Sequence, residues 1–368
     1  MWHAVLQLFH PKEDGHVVMP KLLIIFGLVL LMTVPVSFAQ AQVAYEGSGT
    51  AVISDSSALS DRVTYSLTGV TRLAPDQAYE GWLVNTGTGA LQSTGSMSVD
   101  GNNAINHNWV SPEGDNLIAG FNSVVISVEP VPDSDPDSPS DIKPFSDSVS
   151  SSAMTHIRHL LVGWPEGESA GILTNLNTQL DVAIQHVNLA RGSDTIEDVH
   201  LHTQHVINVV DGDGAPSDDI GIVAHAQDRT HAGFAGASVA AEAANVETAG
   251  ANAEAWALEA KSGAEDVLGN DSVTIAKALL NSVAGRLDAA RNGISATGQG
   301  GGEQAYVSAQ MMATYTLSPG GSIAVATPSV GDSSVPVLAQ MLFAGALTLL
   351  VSGSFLFFRS RRVARINA

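Results

Sequence analysis

Residues 123–162 read SVVISVEPVPDSDPDSPSDIKPFSDSVSSSAMTHIRHLLV, and three kinds of sequence follow one another in them. Val124, Ile126 and Val128 fall at every second position, which lines one face of a β-strand with apolar side chains. Pro130 closes that strand, because proline has no N–H to give to a ladder. Residues 129–144 are too acidic and too rich in proline to pack, and read as a linker or solvated loop. From Met154 to Val162 the apolar residues recur at helical spacing. The chain therefore passes from sheet to helix across an acidic joint.

The same division extends outward on both sides. Residues 43 to about 130 are rich in Val, Thr, Ser and Gly, with Val63, Tyr65 and Leu67 alternating with polar neighbours. Turn signals at Asp100-Gly101-Asn102 and Pro112-Glu113-Gly114 separate the runs, a pattern that predicts an antiparallel β-sandwich. Downstream, residues 172–189, 196–210, 234–261 and 273–290 carry helical periodicity and predict a bundle. The expected fold class is α+β multidomain: an N-terminal antiparallel β-sandwich, then a helical bundle, then one C-terminal transmembrane helix. The expected partition is 1–41 N-terminal extension and signal peptide, 42–130 β-sandwich, 131–150 acidic Pro/Ser linker and 151–316 histidine-containing bundle. It continues with 317–336 flexible stalk, 337–358 transmembrane helix and 359–368 basic cytoplasmic tail.

Location is read from the two ends. Pro20-Lys21 precedes LLIIFGLVLLMTVPVSFAQAQ at 22–42, an apolar run with a small-residue exit, which predicts a secretory signal peptide cleaved before Gln42. An uncleaved N-terminal anchor is the alternative, and Met19 rivals Met1 as the start. Residues 337–358, VLAQMLFAGALTLLVSGSFLFF, carry no charge and are followed at once by RSRRVAR. A run of this length crosses a hydrocarbon core of about 30 Å, and its basic flank marks the cytoplasmic side. The expected localisation is the plasma membrane, single-pass, with the N-terminal ectodomain outside and the C-terminus cytoplasmic.

Charge and cysteine content exclude several functions. The formal net charge is −21, and between residues 42 and 334 there are 35 acids against ten Lys and Arg. No basic stretch there could track a phosphate backbone, so nucleic acid is excluded as a partner. With no cysteine there is no disulfide framework, no thiolate metal site and no thiol nucleophile. Gly-x-Ser-x-Gly is absent and the glycine run at 298–302 lacks the Lys-Ser/Thr of a phosphate loop, so no enzyme is expected.

YEGWLVNTGTGALQSTGSMSVDGNNA at 79–104 and LIAGFNSVVISVEPVPDSDPDSPSD at 117–141 combine a Tyr-x-x-Trp-Leu-Val strand, a Gly-x-Met turn into Asp-Gly, and a strand ending in Val-Glu-Pro. Over about residues 45–145 the chain thus resembles the anti-sigma-K factor C-terminal domain. That resemblance implies an extracytoplasmic β-sandwich beyond a membrane helix. The zinc-binding cytoplasmic segment of full anti-sigma factors has no counterpart here, and direct binding of a sigma factor is not expected. HLHTQHVINVVDG at 200–212 resembles a helical module of uncharacterised bacterial envelope proteins.

Eight of the 12 histidines lie between 156 and 231. His156 with His159, and His202 with His205, stand at i,i+3, which puts both rings of each pair on one side of a helix and within reach of a shared ion. His186 and His202 sit at the margins of apolar faces, where rings commonly serve as boundary residues, and His205 nearly opposite such a face. His156, His159, His186, His202 and His205 are the candidate metal ligands, with axial haem ligation by His186 or His202 as another use. Asp211, Asp213, Asp218 and Asp219 offer a calcium loop without the closing Glu of an EF-hand, so a solvated acidic turn is the preferred reading. The expected function is a non-enzymatic envelope protein, anchored in the membrane and without a cofactor, in sensing, binding or structure, with an envelope protein as possible partner. The alternative is an envelope metal- or haem-binding protein.

Overall fold

Alternation in the N-terminal half becomes two faces of a sheet. In β1 (Ser48–Ser54) Ala51 and Ile53 are buried, and in β2 (Arg62–Thr68) Val63, Tyr65 and Leu67 are, while the residues between them are more exposed. β3 (Gln77–Val84), β4 (Leu91–Met97), β5 (Ile105–Val110) and β6 (Ser123–Pro130) follow, with a short α1 (Leu117–Gly120) before β6. With β7 (Phe145–Ser148) and β8 (Tyr315–Leu317) they form two antiparallel four-stranded sheets, ordered β5-β2-β1-β8 and β4-β3-β6-β7. β2 meets β4 across the sandwich, where Thr94 Oγ1 donates to Tyr65 Oη at 3.1 Å. β6 ends at Pro130, as the missing N–H requires.

The computed structural model describes residues 44–165 and 167–320. The described residues from Tyr45 to Gly320 belong to one compact unit. The antiparallel sheets followed by helices make the fold α+β. Among the described residues no helix is long and apolar enough to cross a membrane. The expected signal peptide, the span at 337–358, the basic tail and nearly all of the stalk lie outside the described residues.

Two short strands depart from the sequence-based partition. β7 (Phe145–Ser148), inside the stretch read as linker, pairs with β6 and buries Phe145 completely. The loop before it is tied down where Ser140 Oγ donates to the Val128 carbonyl at 2.8 Å. β8 (Tyr315–Leu317) comes after the last helix of the described residues and pairs with β1, Gly49 opposite Leu317 and Ala51 opposite Tyr315. The helices are thus inserted between two strands of the sandwich.

Ser150 starts the helical part by capping α2 (Ser151–Leu161), its Oγ accepting from Ala153 N. Ala153, Met154, Ile157, Leu160 and Leu161 fill the buried face of α2. Arg158, on the same helix, donates through Nε to the Ile118 carbonyl at 2.9 Å and through Nη2 to the Phe121 carbonyl, fastening α2 to the sandwich. α3 (Ile172–Gly192) and α4 (Ile196–Asp211) are successive helices that pack on each other, and α4 is capped by Thr195 Oγ1 accepting from Asp198 N. α4 stops at Gly212, whose φ of +75° and close approach to the Ile220 carbonyl leave no room for a Cβ.

α5 (Gly221–Gln227) runs directly into a 3-10 segment, Asp228–Ala235, and a second 3-10 turn, Ala237–Val239. The sequence reading had a helix beginning at residue 234; the helix begins six residues later because Gly236, at φ +95°, breaks the run. α6 (Ala240–Leu268) and α7 (Val273–Asn292) pack through small side chains such as Ala253, Ala257, Ala260 and Ala276. α8 (Gly302–Met311) returns to the sandwich, where Tyr306 Oη donates to Asp55 Oδ1 at 3.1 Å and Gln310 Nε2 to Ser60 Oγ at 3.0 Å.

Candidate metal centres

The i,i+3 spacing of His156 and His159 places both rings on one side of α2, their centroids 5.6 Å apart and nearly perpendicular. The third member of this group is His231, on the 3-10 segment. Its Nδ1 lies 3.2 Å from Nδ1 of His159 and 3.5 Å from Nδ1 of His156. The second group lies on the α3–α4 pair: Nδ1 of His186 stands 3.2 Å from that of His202 and 3.3 Å from that of His205. In each group one nitrogen per ring falls within 4.8 Å of the others, and all six residues are half-buried.

These separations have a chemical meaning. Two nitrogens bound tetrahedrally to one zinc at 2.0–2.1 Å stand about 3.3 Å apart. The close contacts in both groups match that edge. Hydrogen bonding alone does not explain the first group, because a neutral imidazole has one N–H and one lone pair, and His231 Nδ1 faces two other Nδ1 atoms. Whichever tautomers are chosen, one contact brings two like groups together, two acceptors share one proton, or two N–H groups share one lone pair. A cation bound there would resolve that conflict, because it could take a lone pair from each of the three rings.

The same distances bear on a haem held by both His186 and His202, and not on one held by either ring alone. Ligands on opposite sides of one metal would be about 4 Å apart, twice a metal–nitrogen bond. His186 and His202 approach each other more closely than that, on one side of a common point. They have the disposition of neighbouring tetrahedral ligands.

The protonated form is disfavoured at four of the six rings. Burial, and then the positive charges that His159 and His156 would carry, push the His231 pKa down to about 4. His159, His186 and His205 are lowered as well, first by burial and then by the neighbouring histidines of their own groups. Around the first group stand Trp164, its ring centroid 4.4 Å from His231 and 4.5 Å from His159, and the largely exposed Phe234, 5.6 Å from His156. Asp228 is hydrogen-bonded to Trp164 and its pKa is raised by burial.

All five histidines singled out from the sequence thus belong to the two groups, and His231 completes the first. The remaining histidines of the region are occupied elsewhere. His200 Nε2 bonds the Asn270 carbonyl at 3.0 Å, and buried His225 pairs with Asp218 at 2.7 Å. In the acidic turn, Asp211 pairs with Lys261 and Asp218 with His225, while Asp218 Oδ1 accepts from the N–H groups of Ile220 and Gly221.

Fold and site together describe a β-sandwich carrying inserted helices with two three-histidine clusters. Residues 32–142 match the family model described as anti-sigma-K factor rskA, C-terminal, a match that takes in β1 to β6 with the short α1 and leaves the helices from α2 onward outside it. No curated protein and no solved structure matches the chain.

Proposed function

We propose that this protein is a membrane-anchored, extracytoplasmic binder of transition-metal ions, non-enzymatic, holding one ion at His156, His159 and His231 and another at His186, His202 and His205. The observation that carries this is the repeated convergence of three imidazole nitrogens at the edge length of a tetrahedral site. Neutral imidazole donors suit zinc, copper and nickel, whereas calcium and magnesium take oxygen ligands. Zinc is the best fit, since three histidines and one open position form an established zinc geometry. The anti-sigma-K-type domain supports a regulatory setting, in which metal status is presented to a protein partner in the envelope. The apolar run at 337–358 with its arginine flank, and the signal-like run at 22–42, support the anchoring and the location.

Cobalt(II) loading of the purified full-length chain tests the proposal. The expected result is two cobalt ions per chain with visible absorption of tetrahedral intensity, displaced by two zinc ions. Absence of bound cobalt, or binding with the weak spectrum of an octahedral water-rich ion, would count against it.

Acid should release the ions in a definite window. The unfolded chain binds protons on histidine near pH 6.5, whereas folded His231 resists protonation until about pH 4. A depressed histidine pKa means the unfolded state takes up more protons, so its stabilising contribution is complete above about pH 6.5 and is lost as pH falls toward 4. Protons compete with the metal for the folded rings, so bound metal is lost as the pH falls toward the folded His231 value of about 4. The rise in melting temperature on adding zinc should therefore shrink between pH 6.5 and pH 4 and vanish at its lower end. A zinc-dependent rise unchanged at pH 4 would point to carboxylate ligands instead.

A further inference from the structure

The two clusters are built on different supports. His186, His202 and His205 come from helices of 21 and 16 residues that pack on each other and that bury Leu176, Leu180, Val199 and Val206. That scaffold positions its ligands whether or not an ion is present. His156 and His159 also sit on a capped α-helix, but their third partner, His231, lies in an eight-residue 3-10 segment. Runs of this helix beyond 3–4 residues are uncommon, because their hydrogen bonds are poorly aligned. The segment ends at Gly236 with φ +95° and is followed by another 3-10 turn.

This stretch packs on α2 and α6, and Asp228 is hydrogen-bonded to Trp164. Arg229 pairs with Glu254 of α6 at 2.7 Å, and Ala232 and Ala235 are buried beneath it. Its remaining large contacts converge on the first cluster: His231 against His156, His159 and Trp164, and Phe234 against His156 and His231. Without an ion, His231 Nδ1 faces two other Nδ1 atoms and no choice of neutral tautomers gives each contact its own N–H and its own lone pair.

We infer that ion binding at His156, His159 and His231 is coupled to the docking of residues 228–239 onto α2, so that the first cluster is the responsive site and the second a pre-formed one. This rests on the metal-binding reading above and assigns regulation to one of its two sites. The responsive element is a single covalent stretch with two arrangements, fixed when His231 shares an ion with α2 and loosened when it does not. Phe234, 65% exposed even when docked, and Trp164 make up the surface that a partner would sense changing.

Hydrogen exchange of the full-length chain, with zinc and with chelator, decides the matter when metal content is measured on the same samples. Zinc should slow exchange in residues 229–239 by at least about tenfold in the unaltered chain and in His186→Ala, with little change in α3 and α4. His231→Ala should abolish the slowing. His156→Ala, a change on a well-formed helix 75 residues away, should abolish it too, which guards against the possibility that altering residue 231 disturbs the segment directly. If zinc fills both clusters while exchange in residues 229–239 stays the same, the coupling is wrong and the metal sites stand. If the slowing survives in His156→Ala, or is lost in His186→Ala, the assignment of the responsive site is overturned. If no zinc binds in any sample, the metal-binding reading itself fails.

Discussion

His186→Ala should take the metal content of the chain from two ions to one and weaken binding at the second cluster by more than about 100-fold, since the loss of supporting groups around a ligand alone costs 10–100-fold. His186 is the hub of its cluster, with its Nδ1 within 3.3 Å of both partners. Removing it leaves His202 and His205 as an i,i+3 pair on one helix, two ligands in place of three. The first cluster, built on α2 and the 3-10 segment, should keep its ion. His231→Ala should give the complementary result, one ion held at the second cluster. Isothermal titration of zinc into each variant checks both, and two ions retained in His186→Ala would remove that residue from the ligand set. The double variant should bind none.

Tyr315→Ala should destabilise the protein by about 3–5 kcal/mol, the range for removing a large buried aromatic side chain. Tyr315 is fully buried on β8, opposite Ala51 of β1, and belongs to the continuous core that runs from the sandwich into the helices. Because the helices are inserted between β7 and β8, that loss should appear in both halves at once. Protection against hydrogen exchange in β2 and in α3 should fall together in denaturant titrations. Loss confined to β2 would mean that the helices fold independently of the strand that follows them. Tyr315→Phe gives a control of opposite sign. The Tyr315 hydroxyl is buried and has no hydrogen-bond partner among the described residues, so deleting it should be neutral or stabilise by about 1 kcal/mol.

Elements with long periodic runs were legible in the sequence, and the short ones were not. α3 and α4 each offer a buried stripe over several turns, and their ends fall within three residues of the sequence-based bounds. Three or four residues cannot establish a period, which is why Tyr315–Leu317 and Phe145–Ser148 were read as bundle, stalk and linker although both are paired strands. Flanking acids and prolines made the second case harder still.

The clusters divide in the same way. In antiparallel helices joined by a short turn, residues equally distant from the turn face each other. His186 and His202 each lie eight residues from Asp194, with His205 one turn further on, so the sequence held the signal that joins them. Placing His205 by its distance from the apolar stripe missed that signal, because the neighbouring helix covers the flank of α4 as well as its centre. His231 carried no such mark. Three helices separate it from His156 and His159, and its position depends on a 3-10 segment that has no clear apolar period. Only the packing of that segment on α2 brings the three rings together.

Anomalous scattering at the zinc edge, from crystals of the full-length chain grown with zinc, tests the central claim most directly. Two peaks are expected, one about 2.0–2.1 Å from ring nitrogens of His156, His159 and His231, the other at the same distance from those of His186, His202 and His205. Both clusters without a peak, or zinc found only on the surface carboxylates, would contradict the account.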